Sequence, residues 1–175
     1  AFGEDVSNRT NGDLAFTLHP AGSLYSGGDI LRAVREGQVL IGGRFLGAHS
    51  KQVPLLGLDT VPFLATTRAQ SRKLYDVSKD AVGAALDEIG LKLLFAPVWP
   101  PQGLFSKKEV KTVDDMNGVK FRAYDASTTR LAELMGAVPT QTEASEIAQA
   151  FSTGVAEAMM ASGAIGTWQK IWDYA

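Results

Sequence analysis

A helix closed by a glycine and followed at once by an apolar run occurs twice in this chain, at residues 29–41 and at 144–161, and no other feature narrows the possible folds so far. In the first copy Ile30, Leu31 and Val34 fall at helical spacing, Gly37 ends the helix, and Val39-Leu40-Ile41 follows. In the second, a helix over 144–153 is capped by Gly154 and leads into a strand over 155–161. The intervening segments keep the alternation. Leu14, Phe16 and Leu18 alternate with Ala15 and Thr17, the period of a strand with one buried face. Residues 66–89 place Leu74, Val77, Val82, Leu86 and Ile89 on one helical stripe ended by Gly90, and 91–96 is apolar enough to predict a strand covered on both faces. Further on, Thr112 to Asp115 resembles a capping box, 119–124 alternates, 127–135 has helical spacing, and 138–141 fits a short strand. Strands alternating with helices predict an α/β fold of parallel sheets with helices on their faces.

Pro97, Pro100 and Pro101 form the densest interruption, so the chain is expected to divide there into two α/β lobes, 1–98 and 99–175, with one sheet each. The polar start does not begin with Met and reads as the tail of a helix ended at Asn11-Gly12, which predicts lost residues upstream.

What is absent restricts the chemistry. Seventeen Lys and Arg against nineteen Asp and Glu leave no basic excess, which argues against nucleic acid as a partner. The absence of Cys removes thiol nucleophiles, disulfides and thiolate metal clusters together. No apolar run reaches the roughly eighteen residues of a membrane span, and no nucleophile elbow, dinucleotide fingerprint, Walker motif or H-E-x-x-H is present. His19 and His49 stand thirty residues apart in expected loops, and Asp87-Glu88 and Asp114-Asp115 are adjacent pairs that point away from each other on a helix. Neither set predicts a metal site or an acid–base pair. Lys107, Lys108 and Lys111 read as a solvated cluster, and Ser26-Gly27-Gly28 as a simple helix start.

Arg122 is the exception. If Val119, Phe121 and Ala123 face one side of their strand, then Lys120, Arg122 and Tyr124 face the other. In a sheet flanked by helices that other side is interior or borders a crevice, where a guanidinium that cannot lose its charge needs a carboxylate. That carboxylate could belong to the protein or to a ligand held by two parallel hydrogen bonds. Trp99, between breaker residues, and Trp168 and Trp172 are candidate walls of an apolar site or ordinary packing residues.

Several stretches together resemble a known family. They are Gly90-Leu91-Lys92-Leu93-Leu94, Trp99 with Gly103, and the run 106–122, which reads Ser-Lys-Lys-Glu-Val-Lys-Thr-Val-Asp-Asp-Met-Asn-Gly-Val-Lys-Phe-Arg. His19-Pro20-Ala21-Gly22 with Leu24, Val61-Pro62-Phe63-Leu64, Met135-Gly136-Ala137 before Pro139, and Ala150-Phe151-Ser152-Thr153-Gly154-Val155 add to them. In order and spacing they are similar to the solute receptors of tripartite ATP-independent periplasmic (TRAP) transporters, of the dicarboxylate-receptor type. The resemblance implies a periplasmic-binding-protein-like fold, two α/β lobes with a ligand cleft between them, and an arginine at position 122 that grips the ligand carboxylate. Such receptors are longer, so it also implies a partial chain, truncated at both ends.

Departures from the family pattern point to the ligand. A second arginine and a glutamate of the sialic-acid branch have no counterpart here, where the corresponding positions are Gln102 or a neighbour and Phe45, and Ala161-Ser162-Gly163 stands where many members have an asparagine. The resemblance therefore implies an organic monocarboxylate, aromatic or a 2-oxo acid. Arg122 would pair with its carboxylate, with the Ser162 hydroxyl and Gln102 amide in support and Trp99, Phe45 and Phe63 burying the rest. It further implies a periplasmic location, delivery of the ligand to membrane permease subunits, and no enzyme activity, cofactor or metal. A ligand-sensing module of a regulator, or an enzyme acting on an organic acid in the same crevice, are the alternatives.

Overall fold

In the computed structural model, which describes residues 2–175, every ladder strand comes from the second half of the chain. Among the described residues there are four: β1 Gln102–Ser106, β2 Lys120–Ala123, β3 Val138–Gln141 and β4 Ala158–Ser162, ordered β1-β4-β2-β3 in a single sheet. β2 pairs in parallel with both β3 and β4, as the alternation predicts. β1 corrects that expectation. It runs antiparallel along β4, from Gln102 opposite Ser162 to Ser106 opposite Ala158, because the chain enters the sheet directly from the Pro-rich segment without a crossover helix.

Helices flank the sheet on both faces. α4 (Ala126–Leu134) packs with Phe121, Ala137 and Ala158 on one side, where Met116 and Ala132 complete a buried cluster. α5 (Ile147–Ser152) covers the other with Ile147, Ala150 and Phe151 against Met159 and Ala161, joined by Ile171 from the C-terminal turn. Gly154 ends α5 at φ 74°, and Gly37 ends the helix of the first copy at φ 71°, a left-handed stop that glycine reaches without a Cβ clash. α6 (Gly163–Trp168), not foreseen in the sequence, starts where the Ser162 hydroxyl accepts the Ile165 N–H at 3.2 Å.

Residues 2–101 hold α1 (Phe2–Arg9), α2 (Ile30–Arg35), the long α3 (Arg68–Asp87) and three 3₁₀ turns, Gly27–Asp29, Leu46–His49 and Pro54–Thr60. α3 begins at a capping box in which Thr67 and Gln70 satisfy each other's backbone N–H groups. The strands expected at 14–18, 39–41 and 91–96 do not form. These segments lack ladder partners, and Leu14, Leu18, Leu40 and Leu94 stand exposed, Leu40 at 91%. One sheet per lobe is thus replaced by one sheet among the described residues.

Candidate binding site

Arg122 lies near the end of β2, in register with Met159 of β4 and so on the face that α5 covers. Phe121 and Ala123 turn to the opposite side and are fully buried. Arg122 as a whole is only 5% exposed, and burial pulls its pKa down from the ordinary arginine value although it keeps its charge. Its Nε donates to the Thr142 carbonyl at 2.8 Å. Among the described residues no carboxylate stands within ion-pair distance of it, and its two Nη groups donate to nothing. No fully buried side-chain nitrogen or oxygen among the described residues lacks a partner, so those Nη groups are not wholly sealed from solvent. A charge-assisted two-bond fork is left available near the end of β2.

The surroundings of that fork come from both halves of the chain. The Arg122 guanidinium lies 4.9 Å from the centre of the Tyr124 ring, and Phe45, from the first half, meets the same ring edge-on at 5.7 Å. Burial, with the Asp125 carboxylate beside it, pushes the Tyr124 phenol up to about 12. Asp125 caps α4 through the Thr128 N–H at 2.7 Å, while burial raises the carboxyl of Asp59, on the 3₁₀ turn Pro54–Thr60, above the usual range. Thr60 and Ser127 share a hydroxyl hydrogen bond of 3.1 Å across the same seam. Arg44 and Glu143 form a two-bond ion pair there. None of Arg44, Asp59, Thr60 and Glu143 stood out in the sequence, since Arg44 meets Glu143 across 99 positions and Thr60 meets Ser127 across 67, and no periodicity marks any of the four.

The other expected site residues are placed as follows. Phe45 joins Arg122 through the Tyr124 ring. Gln102 opens β1 opposite Ser162, its amide donating to the Pro100 carbonyl at 3.1 Å. Ser162 is fully buried as the cap of α6, a role that uses its oxygen as acceptor and leaves its proton to donate. Trp99 is 57% exposed and lines a shallow hollow with Arg68, Val98, Pro100 and Pro101. Phe63 sits at φ 62°, the left-handed region a bulky residue rarely enters, with 91% of its surface in solvent. Neither Trp99 nor Phe63 makes a ring contact with the Arg122–Tyr124–Phe45 stack. Of the two histidines, His49 is drawn into the seam by Arg44, and burial lowers its pKa. Among the described residues no group of three or more Asp, Glu or His is arranged to hold a metal ion.

A mixed sheet with helices on both faces is an α/β architecture, and its buried arginine faces loops from the other half of the chain. The chain belongs to family 7 of the bacterial extracellular solute-binding proteins, whose model it matches over residues 1–174. It is similar to the crystal structure of a TRAP solute-binding protein from an unidentified marine microbe, specific for pyroglutamate and containing co-purified pyroglutamate. The two share 46% identity at a TM-score of 0.95, over 99% of this chain and 57% of that one. DctP6 of Bordetella pertussis, an extracytoplasmic solute receptor binding pyroglutamic acid, matches at 41% identity and a TM-score of 0.94, again over 99% of this chain and 57% of that one. A solute-binding protein of Albidiferax ferrireducens is 26% identical over 92% of this chain and 48% of its own length. The chain therefore spans about half the length of the proteins it matches. The family and these structures are binding proteins of transport systems, and no described helix is long and apolar enough to cross a membrane.

Proposed function

We propose that this chain is the ligand-binding part of a periplasmic receptor that takes up an organic monocarboxylate between its two parts, 1–98 and 99–175, and hands it unchanged to the permease subunits of a TRAP transporter. The observation that carries the reading is the open Nη fork of a buried Arg122 whose Nε is already held by the Thr142 carbonyl. A buried guanidinium without a carboxylate is destabilising, and a ligand carboxylate supplies the missing partner. Phe45 and Tyr124 give that carboxylate an apolar neighbourhood, with Trp99, Phe63, Gln102 and Ser162 as further contacts. One fork suits one carboxylate. Pyroglutamate, with a single carboxylate on a compact lactam ring, is the leading candidate, because it is the ligand of the two similar receptors described above.

Calorimetric titration of the protein with pyroglutamate, a 2-oxo acid, succinate and sialic acid tests the reading. Pyroglutamate or the 2-oxo acid is expected to bind most tightly and to be recovered intact. Tightest binding of succinate or sialic acid, or conversion of the ligand detected by mass spectrometry, would contradict it.

A further inference from the structure

Beside Arg122 lies a polar junction to which the binding reading assigns no role. Arg44, 14% exposed at its side chain, sends Nη1 and Nη2 to the two carboxylate oxygens of Glu143 at 3.0 and 3.1 Å, although the residues are 99 apart in sequence. Its Nε donates to His49 Nε2 at 3.4 Å. A third segment walls the pair: a Cβ at Gly27 would land on Arg44 Nη1 and stand 2.8 Å from Glu143 Oε2. Only glycine at 27 leaves the pair its place.

Both members adjoin a support of Arg122. Glu143 directly follows Thr142, whose carbonyl holds the Arg122 Nε–H. Phe45 directly follows Arg44 and meets Tyr124, the ring against which the Arg122 guanidinium lies. The dipeptide Arg44-Phe45 thus steadies the guanidinium from its hydrogen-bonded side and from its stacked side. We infer that Arg44 and Glu143 are positioning residues of the carboxylate site, fixing the Thr142 carbonyl and with it the plane in which Arg122 presents its fork. This rests on the reading of Arg122 as the carboxylate anchor. An ion pair partly open to water adds little to stability, whereas a two-bond pair fixes both distance and rotation, so its effect belongs to ligand geometry.

The test combines calorimetry with pyroglutamate and melting of the ligand-free protein, using Arg44→Met, Arg44→Lys, Gly27→Ala and Arg122→Ala; Glu143 is left intact because it also precedes the helical turn Ala144–Glu146. Arg44→Met is expected to weaken binding about tenfold, the effect of misaligning one charge-assisted hydrogen bond, with the melting temperature of the ligand-free protein nearly unchanged. Arg44→Lys should fall between Arg44→Met and wild type. Gly27→Ala should match Arg44→Met and add nothing to it when the two are combined. Wild-type affinity in Arg44→Met and Gly27→Ala, with binding abolished by Arg122→Ala, would overturn the inference while leaving the anchor in place. A lower melting temperature with unchanged affinity would overturn it as well, by making the pair structural. Unchanged binding in Arg122→Ala would overturn the anchor and the inference together. Should Arg44→Met fail to fold, Gly27→Ala against Arg44→Lys decides by the same criteria.

Discussion

Residues 2–101 and 102–175 carry the same run of helix, glycine and apolar segment, yet only the second half builds a sheet. There the apolar run enters as β4 between two partners, and α4 and α5 cover both faces, so Phe121, Phe151 and Met159 are fully buried. In the first half the run Val39-Leu40-Ile41 is at least as apolar but has no strand beside it, and Leu40 and Ile41 face solvent. Apolar alternation specifies an extended backbone; a ladder and a covering layer make it a strand in a core. The site sits where the two regimes meet, with Arg122 and Tyr124 supplied by the sheet and Phe45 and Arg44 by the loops opposite.

The contrast can be broken most forcefully by truncating one apolar residue on each side. Phe151→Ala, in the core between α5 and β4, should lower stability by about 3–5 kcal/mol in denaturant unfolding, whereas Leu40→Ser should stay within about 0.5 kcal/mol. Similar losses at the two positions would show that the first half has a core of its own. Helix caps sharpen the comparison at smaller scale. The Asp125 carboxylate is buried and receives both the Thr128 N–H and its hydroxyl, so Asp125→Ala should cost about 2 kcal/mol, against about 0.5–1 kcal/mol for Thr67→Ala at the exposed start of α3.

The smallest effect is one of pH. His49 has its pKa lowered below the ordinary 6.5, first by burial and then by the Arg44 charge, with Glu143 opposing more weakly. The unfolded chain therefore binds the proton more readily than the folded one. Its contribution to stability is complete above pH 6.5 and should fade as pH drops from there through the lowered folded value. Melting temperatures across this range should show a decline that His49→Gln removes; an unchanged decline in the variant would assign it to other groups.

Much of the sheet half was legible in the sequence, and the reasons are local. The alternation around Phe121 placed Arg122 on the opposite face, where it lies, and glycine stops such as Gly154 marked helix ends whose φ values require them. β1 escaped notice because the prolines before it read as a break, and α6 because Gly163 and Gly166 weaken its helical signal. The expected strands of the first half failed for a different reason: pairing is a property of the neighbour, which periodicity does not name. The same limit hid Arg44, Glu143 and Thr60, which meet groups in distant segments.

The central claim is that Arg122 holds a ligand carboxylate through a two-bond fork, and Arg122→Lys tests it most directly because it keeps the charge and removes the fork. Pyroglutamate affinity by calorimetry and the melting temperature of the ligand-free protein are measured side by side. Affinity should fall by about tenfold to a few hundredfold, the range for losing a charge-assisted hydrogen bond in a site that excludes water, with the ligand-free protein melting as before. A ligand-free protein destabilised by the substitution, binding pyroglutamate with unchanged affinity, would contradict the account and return Arg122 to a purely internal role.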